Sequence, residues 1–230
     1  MPRLRLIAGP NGSGKTTLAR YLISQSVPLG QYINPDDIAK YIDFFATLKS
    51  TEALLRVGKS SISDGSEQFS STFAAKLAQS IAVGLREEWV EAGLSLTYES
   101  VMSHESHLGF VDKANEAGFD SYLYYICTSD PVINQERVER RVLAGGHDVP
   151  KDKIVSRYEK SLSLLHEMTK KCKRVYFFDN SGSEHTHFAE VTPDGYLDVY
   201  EKHFEKVQPL WFVSAVLEKW PRSKVRLASP

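Results

Sequence analysis

The sequence predicts an α/β fold, a three-layer αβα arrangement of the P-loop type around a mainly parallel sheet. Three observations carry that prediction. Short apolar runs alternate with amphipathic stretches almost from end to end. A glycine-rich turn of the form G-x-x-x-x-G-K-[ST], Gly9-Pro10-Asn11-Gly12-Ser13-Gly14-Lys15-Thr16, separates the first apolar run from the first amphipathic one. Polar residues recur just after predicted strands, at Asn11, Asp36, Glu99, Asp130 and Asp179. Strand–helix alternation implies right-handed crossovers and a sheet covered on both faces. In such sheets ligands gather beyond the carboxyl ends of the strands.

Each element follows from local pattern. Leu4 to Ala8 is the first strand, and Thr17-Leu18-Ala19-Arg20-Tyr21-Leu22 continues the helix that the turn opens. Gln31 to Asn34 is a second strand, ended by Pro35-Asp36-Asp37, a proline and two acids that mark a helix start. Leu48, Leu54, Leu55 and Val57 suggest a helix within an insertion at 43–71, whose second part, Gly58 to Ser71, is rich in Ser and Gly and reads as a surface loop. Phe73 to Ala92 is a helix with Phe73, Leu77, Ile81, Leu85 and Trp89 along its apolar face. Leu94 to Tyr98 is a strand ending at Glu99-Ser100; His104 to Ala117 is helical and Ser121 to Cys127 is strand. Thr128-Ser129-Asp130-Pro131 opens a helix carrying Arg137, Arg140 and Arg141, broken at Ala144 to Pro150 and followed by a long helix from about Lys151 to Lys171. Arg174 to Phe178 is a fifth strand, His185 to Thr192 a possible edge strand, and Tyr196 to Leu217 an aromatic-rich helical tail. This divides the chain into a P-loop domain at 1–195 and a tail at 196–230, packed on the domain or on a partner.

Composition narrows the function. The 28 basic and 29 acidic residues nearly cancel, so the whole molecule exerts no strong pull on a polyanion and nucleic acid is a disfavoured partner. Two cysteines, Cys127 and Cys172, suit free thiols in a reducing compartment rather than a disulfide framework. No signal-peptide or membrane-span pattern opens the chain, and a cytoplasmic location is expected.

The glycine turn dictates chemistry. The glycines let successive backbone N–H groups of residues 9–17, Pro10 excepted, curl around an oxygen-rich anion, and the helix that follows points its positive end at the same place. Lys15 is expected to reach the β- and γ-phosphates of a nucleoside triphosphate, and the Thr16 hydroxyl to ligate Mg²⁺. Phosphoryl transfer further requires a carboxylate for the attacking hydroxyl and cations for the γ-phosphoryl charge. Asp36, just past the second strand, is the candidate base; alternatively Asp36 and Asp37 only cap their helix. Arg137, Arg141 and Arg157, with Arg140, form an arginine lid at 132–160 with Gly145-Gly146 as its hinge, or else a solvated face paired with Glu136 and Glu139. Glu99 and Ser100 are candidates to hold a substrate hydroxyl or a Mg²⁺-bound water, or to cap the strand end. Val175-Tyr176-Phe177-Phe178-Asp179 has the form of a Walker B strand, but its position last in the parallel series places Asp179-Asn180-Ser181 nearer the nucleotide base. The seven histidines show no metal-ligand spacing, and no zinc is expected.

In combination, Ala8 to Thr17, Ile33-Asn34-Pro35-Asp36-Asp37-Ile38-Ala39, Tyr98-Glu99-Ser100, Arg137 to Val142, Gly145 to Pro150, Arg157-Tyr158 and Asp179 to Gly182 resemble the zeta-toxin-like P-loop kinases over roughly residues 4 to 182. The resemblance implies a kinase-type five-stranded core and phosphorylation that consumes ATP or GTP with Mg²⁺. It further implies UDP-N-acetylglucosamine or a related sugar nucleotide as acceptor, and an antitoxin protein as partner. By position, Asp36 resembles the family's base, Glu99 its substrate-contacting acid, and Arg141 and Arg157 its phosphate-binding arginines; Ser100 stands where threonine is usual. Two other functions compete: a nucleotide-dependent protein-interaction module without an acceptor, and a polynucleotide-end kinase, which needs a basic groove.

Overall fold

A computed structural model of the chain describes residues 1–41, 66–144 and 148–229. The helix expected around Leu48 to Val57, most of the 43–71 insertion, and the Gly145-Gly146 hinge lie outside the described residues. The elements run β1 (Arg3–Ala8), α1 (Lys15–Ser24), β2 (Gln31–Ile33), α2 (Pro35–Tyr41), α3 (Ser66–Glu91), β3 (Leu96–Ser100), α4 (Ser106–Glu116), β4 (Asp120–Cys127), α5 (Pro131–Leu143), α6 (Lys151–Lys171), β5 (Arg174–Asp179), β6 (Thr186–Val191), β7 (Leu197–Tyr200), α7 (Glu201–Val207), α8 (Leu210–Ala215) and β8 (Val225–Ala228).

Among the described residues all eight strands form one sheet in the order β2-β3-β1-β4-β5-β6-β7-β8. The first five are parallel, with Ile7 opposite both Glu99 of β3 and Tyr124 of β4. From β1 the chain goes to one side for β2 and β3, then to the other for β4 and β5. That reversal opens a crevice at the carboxyl end of β1, where the glycine turn lies. β5, β6 and β7 are successively antiparallel, and β8 pairs parallel with β7.

Four expectations are corrected. β6 is an interior strand and not an edge, because β7 and β8 continue the sheet past it. The tail therefore opens as a strand, Leu197–Tyr200, where a helix was expected; Leu197 and Val199 point into the core and fit the two-residue period of a strand. Helix α3 starts at Ser66, inside the stretch read as a loop. The buried face of α3 is also not the bulky stripe: Leu77, Ile81 and Leu85 are partly exposed, whereas Ala78, Ala82, Arg86 and Val90 are buried. Small alanines let the helix lie close on the sheet, and Arg86 spreads its guanidinium over the Tyr98 and Phe110 rings at 5.0 and 4.4 Å.

Coverage of the two faces is unequal. The larger core joins β1, β3, β4, β5, β6 and β7 to α3, α4, α6 and α8, and includes Tyr98, Leu123, Phe177, Phe188, Trp211 and Phe212. On the other face, among the described residues, α1 packs Leu18, Ala19 and Leu22 on Ile7, Tyr124, Ile126 and Phe178, with Leu29 from the segment that follows it. A buried side chain of this size contributes about 1.5–3 kcal/mol, so Trp211 and Phe212 tie the tail firmly to the sheet. Helix α5 and the start of α6 cohere through their own small cluster, Val138, Val149 and Ile154.

Candidate active site

Strand β1 ends in a left-handed turn before α1 begins. Gly14, the residue before the helix, has φ +101°, and a Cβ there would collide with the Asn180 side-chain amide. It gives α1 no side-chain cap, and the first turn carries no acid. The N-terminal amides are thus left to an anion. Ser13 Oγ is fully buried without a hydrogen-bond partner. These features fit a polyphosphate.

Lys15 folds back over the turn, and its Nζ donates to the Gly9 and Pro10 carbonyls, both at 2.9 Å. Burial lowers its pKa, while Glu99 and Asp36 pull it upward. The Thr16 hydroxyl donates to Glu99 Oε2 at 3.0 Å, and the Tyr32 hydroxyl donates to Glu99 Oε1. Burial raises the Glu99 pKa against these two hydrogen bonds and the charge of Lys15. A hydroxyl and a carboxylate in contact form the oxygen donor set that Mg²⁺ takes beside substrate phosphates.

Asp36 enters from α2. Capping there belongs to Asn34, whose Oδ1 accepts the Asp36 N–H at 3.0 Å. The half-exposed Asp36 carboxylate instead meets Arg141, with Nη1 at 3.6 Å from Oδ2. Glu99 lies within β3, and the strand-end turn is served by Ser100, whose Oγ accepts the Met102 N–H and pairs with His107 Nε2, both at 2.9 Å.

The four arginines divide. Arg141 reaches Asp36, and Arg157 Nη1 lies 3.5 Å from the Asn11 side-chain oxygen on the turn. Arg137 Nη2 donates to the Gly182 carbonyl at 3.1 Å, while its Nη1 is buried without a partner. Arg140 points to solvent and pairs with Glu136 one helical turn away. Asp130 has a local task, accepting the Val132 N–H at 2.7 Å to cap α5.

Three residues at the site, Tyr32, Asn134 and Trp211, went unread in the sequence, whereas Asn180 was expected near the nucleotide. Tyr32 holds Glu99. Asn134 donates from Nδ2 to the Asn11 carbonyl at 2.6 Å. Asn180 donates to the Ser13 carbonyl at 2.8 Å, bracing the turn from β5. Trp211 Nε1 donates to Asp179 Oδ2 at 2.9 Å, so the Walker-B-like acid is engaged by the tail. Only the apolar alternation around Tyr32, with a phenol beside a strand end, hinted at any of the three.

This arrangement, an anion-receptive turn at the switch point of a parallel sheet with an acid on the neighbouring strand, has the fold of the P-loop phosphotransferase class. The chain belongs to the zeta toxin family, whose profile matches residues 1–191. Comparison with curated protein sequences finds no match. Among solved structures, the AvrRxo1-ORF1:-ORF2 complex with ATP is similar at 19% identity and TM-score 0.58, over 90% of this chain and 63% of that one. A chain from the structure of the PezAT chromosomal toxin-antitoxin system of Streptococcus pneumoniae is similar at 15% identity and TM-score 0.53, over 97% of this chain and 82% of that one. The chain thus spans less than two thirds of the AvrRxo1 chain. Among the described residues no helix is long and apolar enough to cross a membrane.

Proposed function

We propose that the protein transfers the γ-phosphoryl group of ATP or GTP to a hydroxyl of a small molecule, UDP-N-acetylglucosamine or a related sugar nucleotide. One observation carries the reading: Asp36, freed from capping by Asn34, stands against Arg141 and influences the same lysine as the phosphate turn. Membership of the zeta toxin family and the likeness to an ATP-bound structure support it. The PezAT likeness supports an antitoxin as a partner.

In the proposed reaction the acceptor oxygen attacks the γ-phosphorus while the bond to the β–γ bridging oxygen breaks. Asp36 takes the hydroxyl proton, and the nucleoside diphosphate leaves with the bond electrons. The turn amides and Lys15 hold the phosphates, and Arg141 and Arg157 neutralise charge on the transferring group. Thr16 would ligate Mg²⁺, which supplies charge neutralisation at the phosphates. Glu99, held by Tyr32 and Thr16, orients the acceptor or a water on the cation.

The test incubates the protein with γ-labelled ATP and either UDP-N-acetylglucosamine or a metabolite extract. A labelled acceptor that disappears with Asp36→Asn supports the reading. Release of labelled phosphate alone would make the protein a nucleotide-dependent interaction module, and label on oligonucleotide ends a polynucleotide kinase.

A further inference from the structure

The tail bears on the nucleotide turn through one buried loop. Trp211 of α8 is 4% exposed and Asp179 at the end of β5 is 2% exposed, so their 2.9 Å hydrogen bond is shielded from water. The other Asp179 oxygen accepts the Ser181 N–H at 2.9 Å, which shapes residues 179–182 into a tight turn. That turn makes four outward contacts, the first from the Asn180 N–H to the Cys127 carbonyl of β4 at 2.8 Å. Asn180 donates to the Ser13 carbonyl at 2.8 Å and fills the space above Gly14. Ser181 Oγ accepts the Ser129 N–H at 2.8 Å, just before α5. The Gly182 carbonyl accepts from Arg137 at 3.1 Å. A single carboxylate thus links the tail to the phosphate turn and to the arginine helix, while α8 lies beyond the 1–191 stretch that the family profile matches.

We propose that Trp211 is a positioning residue of the nucleotide site: its indole N–H fixes Asp179, and the 179–182 turn then holds Asn180 against the P-loop and Gly182 against Arg137. A buried carboxylate that loses one donor is left with an uncompensated oxygen, and the turn rotates to recover a partner. Rotation of Asp179 moves Asn180, its neighbour, off the Ser13 carbonyl. The inference rests on the reading of residues 9–17 as a nucleotide-phosphate site.

The experiment measures binding of a non-hydrolysable ATP analogue with Mg²⁺, alongside thermal unfolding, so that no acceptor is involved. Trp211→Phe keeps the ring and removes the N–H; it is expected to weaken binding roughly threefold to thirtyfold, the usual range of coupling through a packed network. Phe212→Leu, a change in the same helix that cannot hydrogen-bond the turn, is expected to lower the unfolding temperature and leave the analogue's affinity unchanged. Asp179→Asn reports on the same bond and is expected to weaken binding in the same range, which keeps the test open if Trp211→Phe fails to fold. Unchanged affinity in Trp211→Phe, or an equal loss of affinity in Phe212→Leu, overturns the inference. Lys15→Ala separates the two levels. If it leaves binding intact, the phosphate-site reading fails; if it abolishes binding while Trp211→Phe binds normally, the positioning role alone fails.

Discussion

The Thr16 hydroxyl donates a hydrogen bond to Glu99 Oε2 at 3.0 Å, so the lone pairs of the Thr16 oxygen are not spent on that bond and suit a cation. Residues 83 positions apart are brought together because β3 pairs directly with β1, Ile7 opposite Glu99. Thr16→Ala and Glu99→Gln are accordingly expected to raise the Mg²⁺ concentration needed for half-maximal turnover. Each should lower kcat about 10- to 100-fold, as loss of a ligand or its supporting partner does. A magnesium titration of turnover for both variants checks this; unchanged demand for the cation would remove the pair from the metal site.

Arg141 and Arg140 are neighbours in sequence with different fates. Arg141→Ala, which deletes the cation beside Asp36, is expected to reduce kcat by about two orders of magnitude or more, the scale of charge stabilisation on a transferring phosphoryl group. Arg140→Ala breaks only an exposed pair with Glu136 and is expected to alter stability by less than about 0.5 kcal/mol and turnover not at all. Steady-state kinetics and urea unfolding of the two variants decide between a functional and a solvated role for each.

Gly14→Ala combines two faults. At φ +101° a Cβ adds conformational strain, and it would also strike the Asn180 amide. A loss of about 1–2 kcal/mol from the backbone alone is expected, with nucleotide affinity falling as Asn180 is pushed aside. Gly14→Ala/Asn180→Ala removes the collision but not the strain, and should recover only part of the loss in thermal unfolding.

His187 is partly buried, with its Nε2 shut off from solvent and unpartnered among the described residues, and it is stacked on Phe178 at 4.9 Å and edge-on to Tyr200 at 5.1 Å. Burial holds its pKa down to about 4, with Glu190 raising it and His203 and Arg174 lowering it. An unfolded imidazole titrates near 6.5. The unfolded chain therefore binds the proton first, and stability present above pH 6.5 is lost as the pH falls toward 4. His187→Phe keeps an aromatic ring in the stack and should flatten that limb by about 2 kcal/mol, read from urea unfolding at pH 7 and pH 4.5.

Much of the site was legible because its chemistry is written in short contiguous runs. Residues 9–17 announce themselves through glycine spacing, Asp36 through its place after β2 and Glu99 through its place near the end of β3, which the parallel pairing turns into shared proximity. Tyr32, Asn134 and Trp211 were not legible, since each acts through a single hydrogen bond to a residue 32 to 123 positions away, set by topology rather than by pattern. The reversed face of α3 has a similar cause. A four-residue stripe names a side of the helix, but small Ala78 and Ala82 and the stacked Arg86 fit the sheet more closely than Leu77 or Leu85. The antiparallel extension was hidden because Leu197–Tyr200 is four residues long and runs directly into α7.

Gly9 has φ +148°, and a Cβ on it would run into the carbonyl oxygen of Ile126 on the neighbouring strand. The first residue of the phosphate turn therefore also sets how closely β1 and β4 lie. A lineage that lost the roles proposed for Asp36 and Arg141 would still need this glycine for the close approach of the two strands. Its presence in a distant descendant would testify to inherited architecture, not to surviving activity.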